Sequence, residues 1–229
     1  EAAKIARWSE AAGASALLIF PPQPLMLMQG QMKPEMGLAH FKTIADATDL
    51  PLIAFQYPNE MAYRMETMHR LKEEVPSLKA MKDWNMGQLH ESHVRELQSD
   101  TRPFNVLSTN SAWLMSSLTM GANGLLSGSG SVIADLQVAL FNAVRAGDLR
   151  RAQAVNDRIY PTAQCFYGAP ATDMHNRMKE ALVMLGRLPK AVVRPPLTKL
   201  TEAELAGVRD AIEKAGLTYE GADYLRKAA

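Results

Sequence analysis

Short apolar runs alternate with segments of helical periodicity over the first half of the chain. Each apolar run ends at proline, glycine or a polar cluster, which is typical of buried strands. The apolar runs predict strands over residues 15–20, 50–57, 75–82, 102–108 and 124–127. The periodic segments predict helices over residues 1–12, 38–48, 64–74, 87–99 and 112–120. Strands and helices that alternate at this interval indicate parallel βαβ units.

From residue 132 onward the pattern predicts helices alone, over residues 132–145, 148–165, 172–185 and 202–214. We therefore expect a βα array over residues 1–145 and a helical extension over residues 146–229. A parallel array of this kind is either a doubly wound sheet or a barrel. In both architectures the chemistry lies at the carboxyl ends of the strands, so candidate site residues belong there.

The composition is that of a soluble globular protein whose partner is a small molecule. Of 229 residues, 47% are hydrophobic and 21% are charged, and the charges that give a net +1 are spread along the chain. We therefore expect no binding to nucleic acid. No apolar run approaches the roughly 18 residues that cross a bilayer, so we expect no membrane segment. The single cysteine, Cys165, excludes an internal disulfide and fits a cytoplasmic location.

Lys82 is the candidate for covalent chemistry. It ends an apolar run, and alternation along a strand predicts that it shares one face with Leu78 and Ala80, while Lys79 and Met81 share the other. A lysine among apolar groups has a lowered pKa, which makes its neutral amine available to attack a carbonyl. The alternative is a lysine whose side chain extends from the strand end into solvent.

Other motifs have plainer interpretations. Residues 128–130 (Gly-Ser-Gly) lack a dinucleotide or P-loop pattern and indicate a tight turn. His90 and His93 lie three apart on what we interpret as an exposed helix, so we expect both to be solvated. The methionine-rich residues 23–37 predict either a lid over an apolar pocket or a subunit contact. No metal site is expected, because His175 stands without a second ligand at helical spacing and His90 and His93 are interpreted as solvated.

Taken together, the strand ends resemble the dihydrodipicolinate synthase / N-acetylneuraminate lyase family, whose members form Schiff bases in aldolase and dehydratase reactions. The resemblance covers nearly the whole chain. Its order and spacing are specific, and it is carried by residues 40–42, 48–53, 56–58, 82–83, 106–108, 121–127 and 179–182. The family fold is an α/β (β/α)8 TIM barrel with a C-terminal helical extension, which implies a partial barrel over residues 1–145.

The predicted barrel lacks its first strands. About five strands are predicted where a closed barrel has about eight. The family's Gly-Thr-Thr-Gly-Glu-like segment, which holds the substrate carboxylate, is also absent. We therefore expect the chain to be part of a longer protein or to need partners that cover its edges, and we do not expect full activity from it alone.

The resemblance implies that Lys82 forms a Schiff base with pyruvate or another 2-oxo acid, with no cofactor. The reaction is then an aldol cleavage or condensation, or a dehydration. The carbonyl of Leu126 matches the group that lies against the bound keto acid, and the residues after Leu107 match the far side of the pocket. Family members are commonly tetramers built from dimers, so a homo-oligomer is expected.

Phe55 departs from the family pattern, because the proton-shuttling tyrosine usually stands there. Tyr57 shares the face of Phe55 and is therefore the first candidate to replace it, ahead of Asp83, Asn110 and Ser127. The substrate contacts implied by the resemblance come from Phe55, Gln56, Asp83, Trp84, Asn110, Leu126 and Ser127.

Two alternatives stay open at this stage. Trp84 and Trp113 follow strand ends, and each either walls an apolar substrate or fills a gap between barrel and tail. The replaced tyrosine and the missing carboxylate segment also allow a different class of protein, a non-catalytic relative that binds a keto acid or serves in an assembly.

Overall fold

The computed structural model describes residues 1–22, 25–98 and 102–219. Contacts divide the chain into two compact units, Glu1–Leu126 and a second unit that begins at Ser127. The domain boundary expected at residue 145 remains a prediction. Among the described residues, no helix combines the length and the apolar character needed to cross a membrane.

The first unit contains a parallel sheet, and its described part has five strands. The strands follow one another in chain order, and every neighbouring pair is parallel. Their bounds are β1 (Leu17–Ile19), β2 (Leu52–Gln56), β3 (Leu78–Asp83), β4 (Asn105–Ser108) and β5 (Gly124–Leu125). Each overlaps a predicted strand.

Helices connect the strands of the first unit and make up the regular structure of the second. In the first unit they are α1 (Ala2–Ala11), α2 (Pro34–Ala45), α3 (Met65–Glu74), α4 (Gly87–Gln98) and α5 (Leu114–Thr119). In the second they are α6 (Gly130–Arg145), α7 (Leu149–Tyr167), α8 (Met174–Met184) and α9 (Glu202–Lys214). Short 3-10 turns span Leu25–Gln31, Asn59–Met61 and Ala171–Asp173. Parallel strands in sequential order with helical crossovers are part of a (β/α)8 barrel, as predicted.

A continuous apolar core lies between the sheet and its helices. The strands and the helices both contribute side chains to it, among them Leu17, Leu52, Met81, Val106, Leu38, Phe41, Met68, Leu71 and Leu97. Burial of each leucine-sized side chain stabilises the fold by about 1.5–3 kcal/mol. This core therefore lies on the helix-side face of the sheet.

The first half of β3 departs from strict alternation. The β2 residue that follows the partner of Leu78 pairs with Ala80, so Lys79 is an extra residue in a bulge and lies exposed. Leu78 and Met81 consequently both belong to the helix-side core. The prediction that Leu78 shares the face of Lys82 is wrong, because the bulge shifts the alternation by one position.

In the second unit, α7 packs against α6, α8 and α9. Arg177 of α8 is buried, and its guanidinium donates hydrogen bonds to the backbone carbonyls that follow or end α7, those of Phe166, Gly168, Ala169 and Pro170. These bonds satisfy carbonyls that the end of a helix leaves without intrahelical partners.

Candidate active site

Lys82 lies at the carboxyl end of β3, beside Phe55 on β2. The two residues are partners in the parallel register, so their side chains project from the same face of the sheet. The Nζ atom of Lys82 lies over the Phe55 ring, 5.0 Å from the ring centroid. Burial lowers the pKa of the Lys82 amine, because a charged ammonium loses hydration there. The amine is therefore more often neutral, and more nucleophilic, than that of an exposed lysine.

Four aromatic side chains cluster at this end of β1, β2 and β3. The Phe55 centroid lies 4.8 Å from that of Phe20 and 4.6 Å from that of Tyr57. The Trp84 ring is nearly parallel to Phe55, at an angle of 16° and a centroid distance of 6.3 Å, and lies 6.2 Å from Tyr57. We call Phe20, Phe55, Tyr57 and Trp84 the aromatic cluster. Phe55 is the member of the cluster over which the Lys82 amine lies.

Tyr57 follows β2 and carries the phenol of the cluster. Its side chain is mostly buried, and burial raises the pKa of its hydroxyl. The phenol therefore keeps its proton over the neutral pH range. A protonated hydroxyl is both a donor and an acceptor of hydrogen bonds, which is the chemistry that phenylalanine at position 55 lacks.

Asp83 projects from the opposite face and is fully buried. Its Oδ2 accepts hydrogen bonds from Nδ1 of His90 and Nδ1 of His93, each at 2.7 Å. Its Oδ1 accepts from the backbone N–H and the side-chain amide of Asn85, at 3.1 and 2.8 Å. Burial alone would raise the pKa of Asp83, but the histidine hydrogen bonds outweigh it and hold the pKa well below its usual range.

The two histidines correct the sequence prediction. His90 and His93 were expected on a solvated helix face, yet both are completely buried against Asp83. On α4 they lie on the same side as the buried Val94 and Leu97, so that side faces the sheet. Helical spacing with these apolar residues was the signal that could have placed the histidines inside.

The buried polar groups connect the ends of β2 and β3. The Asn85 amide donates to the carbonyl of Tyr57 at 3.0 Å, and its oxygen accepts the N–H of Asn59 at 2.7 Å. Buried Gln29 donates to the carbonyl of Phe55 at 2.8 Å and accepts the N–H of Tyr57 at 3.1 Å. The backbone at Phe55 and Tyr57 is therefore fixed by hydrogen bonds from both Gln29 and Asn85.

Gln56 and Asp83 do not reach the surface that Lys82 shares with Phe55. Gln56 is fully buried, and its side chain exchanges two hydrogen bonds with the backbone of Tyr63, at 2.8 and 3.0 Å. The structure thus places Phe55 beside Lys82, with Tyr57 and Trp84 in ring contact with Phe55. Gln56 and Asp83 instead belong to the buried polar groups on the helix side of the sheet.

The remaining predicted residues lie at the ends of β4 and β5. Asn110 is buried after β4, and its carbonyl accepts the N–H of Trp113 at 2.8 Å. The N–H of Leu126 donates to the carbonyl of Ser108 at 2.8 Å, which extends the β4–β5 pairing. Trp113 meets His90 edge to face at 5.5 Å, next to the buried network.

Ser127 begins the second unit. Its hydroxyl is 3.0 Å from that of Ser129 and accepts a hydrogen bond from the Gln137 amide at 3.1 Å. These contacts organise the turn that precedes α6.

Sequence reasoning missed Gln29 and Asn85 as part of the site. Both are amides in loops, and neither stands in a pattern that separates a buried loop side chain from a solvated one. For metal binding, no group of three or more histidine, cysteine, aspartate or glutamate side chains among the described residues is arranged to hold an ion.

Parallel strands that follow one another in chain order with helical crossovers are typical of (β/α) barrel proteins, and a partly desolvated lysine lies at one of the strand ends. Comparison with known proteins places the chain more narrowly. The profile of the dihydrodipicolinate synthetase family matches residues 1–215. The chain belongs to this family, as the sequence resemblance predicted.

Two curated relatives are 4-hydroxy-tetrahydrodipicolinate synthases. The protein from Symbiobacterium thermophilum is 33% identical over 188 residues, which are 80% of this chain and 61% of the relative. The protein from Haloarcula marismortui is 31% identical over 218 residues, which are 93% of this chain and 66% of the relative. The chain thus spans a little under two thirds of the length of these relatives.

Solved structures show the same fold at lower identity. The dihydrodipicolinate synthase of Thermotoga maritima superposes with a TM-score of 0.82 at 21% identity, covering 93% of this chain and 70% of that one. A prophage protein of the dihydrodipicolinic acid synthase family from Escherichia coli, solved in complex with pyruvate, gives a TM-score of 0.82 at 21% identity and covers 94% and 71%.

Proposed function

We propose that this chain carries the reactive lysine of a lyase that forms a Schiff base between Lys82 and a 2-oxo acid of the pyruvate type. The main support for this proposal is the position of Lys82 at a strand end, where burial lowers the pKa of its amine. Membership of the dihydrodipicolinate synthetase family supports the same reading. So does the structural relative that was solved with pyruvate.

The proposed reaction begins when the neutral Lys82 amine adds to the C2 carbonyl of the 2-oxo acid. Loss of water gives an iminium ion, which draws electrons from the neighbouring carbon C3. A proton then leaves C3, or a bond from C3 to the next carbon breaks. In the direction of condensation, the resulting enamine attacks an aldehyde, and water finally releases the product from Lys82.

Tyr57 is the proposed proton carrier for these steps. Its raised pKa keeps a hydrogen on the phenol, and its ring contacts Phe55, over which the Lys82 amine lies. Trp84 and Phe55 then provide the walls of the site. Leu126 and Asn110 are proposed to contact the bound acid from the neighbouring strand ends.

Borohydride trapping tests the Schiff base directly. The 229-residue chain, and a longer parent polypeptide where one exists, would be treated with pyruvate and sodium borohydride and analysed by intact mass and peptide mapping. The expected result is one reduced pyruvate, attached at Lys82. Lys82→Ala should abolish the adduct.

Lys79→Ala is the matched control, since Lys79 lies on the same strand but is exposed in the bulge. Its trapping should equal that of the unmodified chain. If pyruvate and longer 2-oxo acids all fail to give an adduct at Lys82 in the parent, the lyase proposal is wrong and a binding or assembly role replaces it.

The assembly proposed with this function is a homo-oligomer, a dimer or tetramer, that works on a small-molecule substrate in the cytoplasm. Light scattering on the purified protein would report the oligomeric mass.

A further inference from the structure

The aromatic cluster exposes part of its ring surface. Its four side chains differ in exposure: Phe55 and Tyr57 are 7% and 8% exposed, whereas Phe20 is 47% exposed and Trp84 is half-buried. The first pair therefore forms the base of the cluster, and the second pair offers ring surface that the described residues leave uncovered. Uncovered ring surface at a strand end costs solvation free energy unless a ligand or another segment covers it.

The covalent bond between the 2-oxo acid and Lys82 restricts where a second substrate can lie. In the proposed mechanism the nucleophilic carbon C3 is two bonds from Nζ, and an acceptor aldehyde must approach C3 to within about 3.5 Å to react. The Phe55 ring lies only 5.0 Å from Nζ. An acceptor bound on this side of Lys82 therefore contacts the aromatic cluster.

The chemistry of the cluster discriminates between acceptors. The faces of aromatic rings carry partial negative charge, so they disfavour a carboxylate and favour another ring or an apolar chain. The four side chains contribute one phenol and one indole N–H as their polar groups.

The backbone holds the cluster in place before any substrate binds. The N–H of Trp84 donates to the carbonyl of Gln56 at 3.1 Å, and the buried amides of Gln29 and Asn85 fix the chain at Phe55 and Tyr57. A preorganised apolar surface loses little conformational entropy when it binds a ligand.

We infer that the second substrate of the Lys82 site is an aldehyde with an aromatic or similarly apolar substituent, bound against Phe20, Phe55 and Trp84, rather than an aldehyde that carries a carboxylate. This inference rests on the proposed Schiff-base function. It assigns the substrate class to the half of the site that the 2-oxo acid does not fill.

Two 2-oxo acids that differ only at the far end test the inference without requiring turnover. They are 4-phenyl-2-oxobutanoate, which carries the phenyl ring on C4, and 2-oxopentanedioate, which carries a carboxylate there. Each corresponds to an addition product without its hydroxyl group. Trapping both in competition on the same chain measures their relative binding at Lys82, and we expect the phenyl compound to be favoured at least about ten-fold.

Variants identify the source of the preference. Trp84→Leu and, separately, Phe20→Leu should each lower the ratio of phenyl to carboxylate trapping several-fold. Trp8→Leu is the matched control, because Trp8 is exposed on α1, where its ring contacts Lys4, and its replacement should leave the ratio unchanged. Circular dichroism would confirm that each variant is folded.

The outcomes separate this inference from the proposal beneath it. Trapping of pyruvate together with equal or better trapping of 2-oxopentanedioate would overturn the aromatic acceptor and leave the Schiff base intact. A phenyl preference that neither Trp84→Leu nor Phe20→Leu reduces would overturn the assignment to the cluster. Failure of all three acids to label Lys82 in the longer parent polypeptide would overturn both.

Discussion

Lys82 and Asp83 are neighbours in sequence but lie in opposite environments. The side chain of Lys82 joins the aromatic cluster, while Asp83 is enclosed by His90, His93 and Asn85 on the helix side. Strand alternation alone creates this contrast. One peptide unit thus supplies the reactive amine and the anchor that fixes the strand end, so the two functions can be tested by separate substitutions.

The first prediction concerns the pH dependence of stability at Lys82. Because burial lowers the folded-state pKa of Lys82, the unfolded chain binds more protons at this group between the two pKa values, and stability rises with pH. Relative to Lys82→Met, the unmodified chain should therefore gain unfolding free energy from about pH 7 to about pH 10. The gain should stay below about 1 kcal/mol, because the group is only half-buried.

Urea unfolding at both pH values would measure this difference. Lys79→Met, at the exposed neighbouring position, should show no comparable pH dependence. An unmodified chain that loses stability relative to Lys82→Met over this range would contradict the desolvated amine.

The second prediction concerns the buried carboxylate. In Asp83→Asn one oxygen becomes an NH2 group, which cannot accept the hydrogen bonds that arrive there, so we expect a loss of about 3 kcal/mol at neutral pH. The folded-state pKa of Asp83 lies below its unfolded value. Its stabilisation is therefore fully present above about pH 4 and declines as the pH falls toward the folded pKa.

The difference between the unmodified chain and Asp83→Asn should accordingly narrow in acid. Denaturant titrations at neutral and acidic pH would test this, with Asp135→Asn, an exposed change on α6, as the control. A loss that does not change with pH would show that packing rather than charge dominates at this position.

Helices and strands were predictable from the sequence, but part of the site was not. Hydrophobic periodicity located the strands and helices, because each element must place apolar residues at regular spacing on the side that packs against the core. It did not locate the bulge at Lys79, which depends on pairing with β2. It also misplaced His90, because a histidine on a polar helix is buried only when a specific partner, here Asp83, satisfies it.

Replacement of His90 on α4 distinguishes a buried histidine that binds Asp83 from a solvated one. His90→Leu removes one donor to Asp83 and the partner of the Ser117 hydroxyl, which lies 2.7 Å from Nε2. We expect a loss of about 2–3 kcal/mol in unfolding free energy. His69→Leu, at a histidine that is 49% exposed on α3, should change stability by no more than about 0.5 kcal/mol. Equal losses would favour the solvated helix that the sequence suggested.

The loop between β1 and α2 contributes a close contact that only glycine allows. A Cβ atom at Gly30 would collide with the carbonyl oxygen of Glu60 and lie 2.9 Å from that of Ala62. Gly30→Ala should therefore cost about 2 kcal/mol or more. It should also weaken trapping at Lys82, because the adjacent Gln29 holds the backbone of Phe55 and Tyr57.

Gly207→Ala is a control that should change stability in the opposite direction. Gly207 lies within α9, and a Cβ there meets no atom within 4 Å. The substitution should stabilise the chain by about 0.5–1 kcal/mol, since alanine favours the helix. Thermal unfolding of both variants gives the comparison, and a stable Gly30→Ala protein with normal trapping would remove the loop from the site.

At the scale of the whole molecule, the described sheet is an arc with two ends. β1 pairs with β2 alone and β5 with β4 alone among the described strands. The chain covers 61% and 66% of the two curated relatives. The expectation that further strands or partner chains cover these edges therefore remains a prediction. The parallel βα array followed from the regular alternation of strands and helices, and the choice of a barrel over a doubly wound sheet followed from the family resemblance. The covering of the two edge strands is not encoded in local periodicity.

The junction of His90 and His93 at Asp83 also gives the protein an internal reporter. Two imidazole N–H hydrogens point at one carboxylate oxygen in a region without solvent contact. Such hydrogens exchange slowly with water and resonate far downfield of ordinary amides. Proton magnetic resonance would therefore report on the end of β3 in the intact protein. A change in these two signals on addition of a 2-oxo acid would show that a reaction at the Lys82 amine alters the hydrogen bonds on the opposite face of the strand.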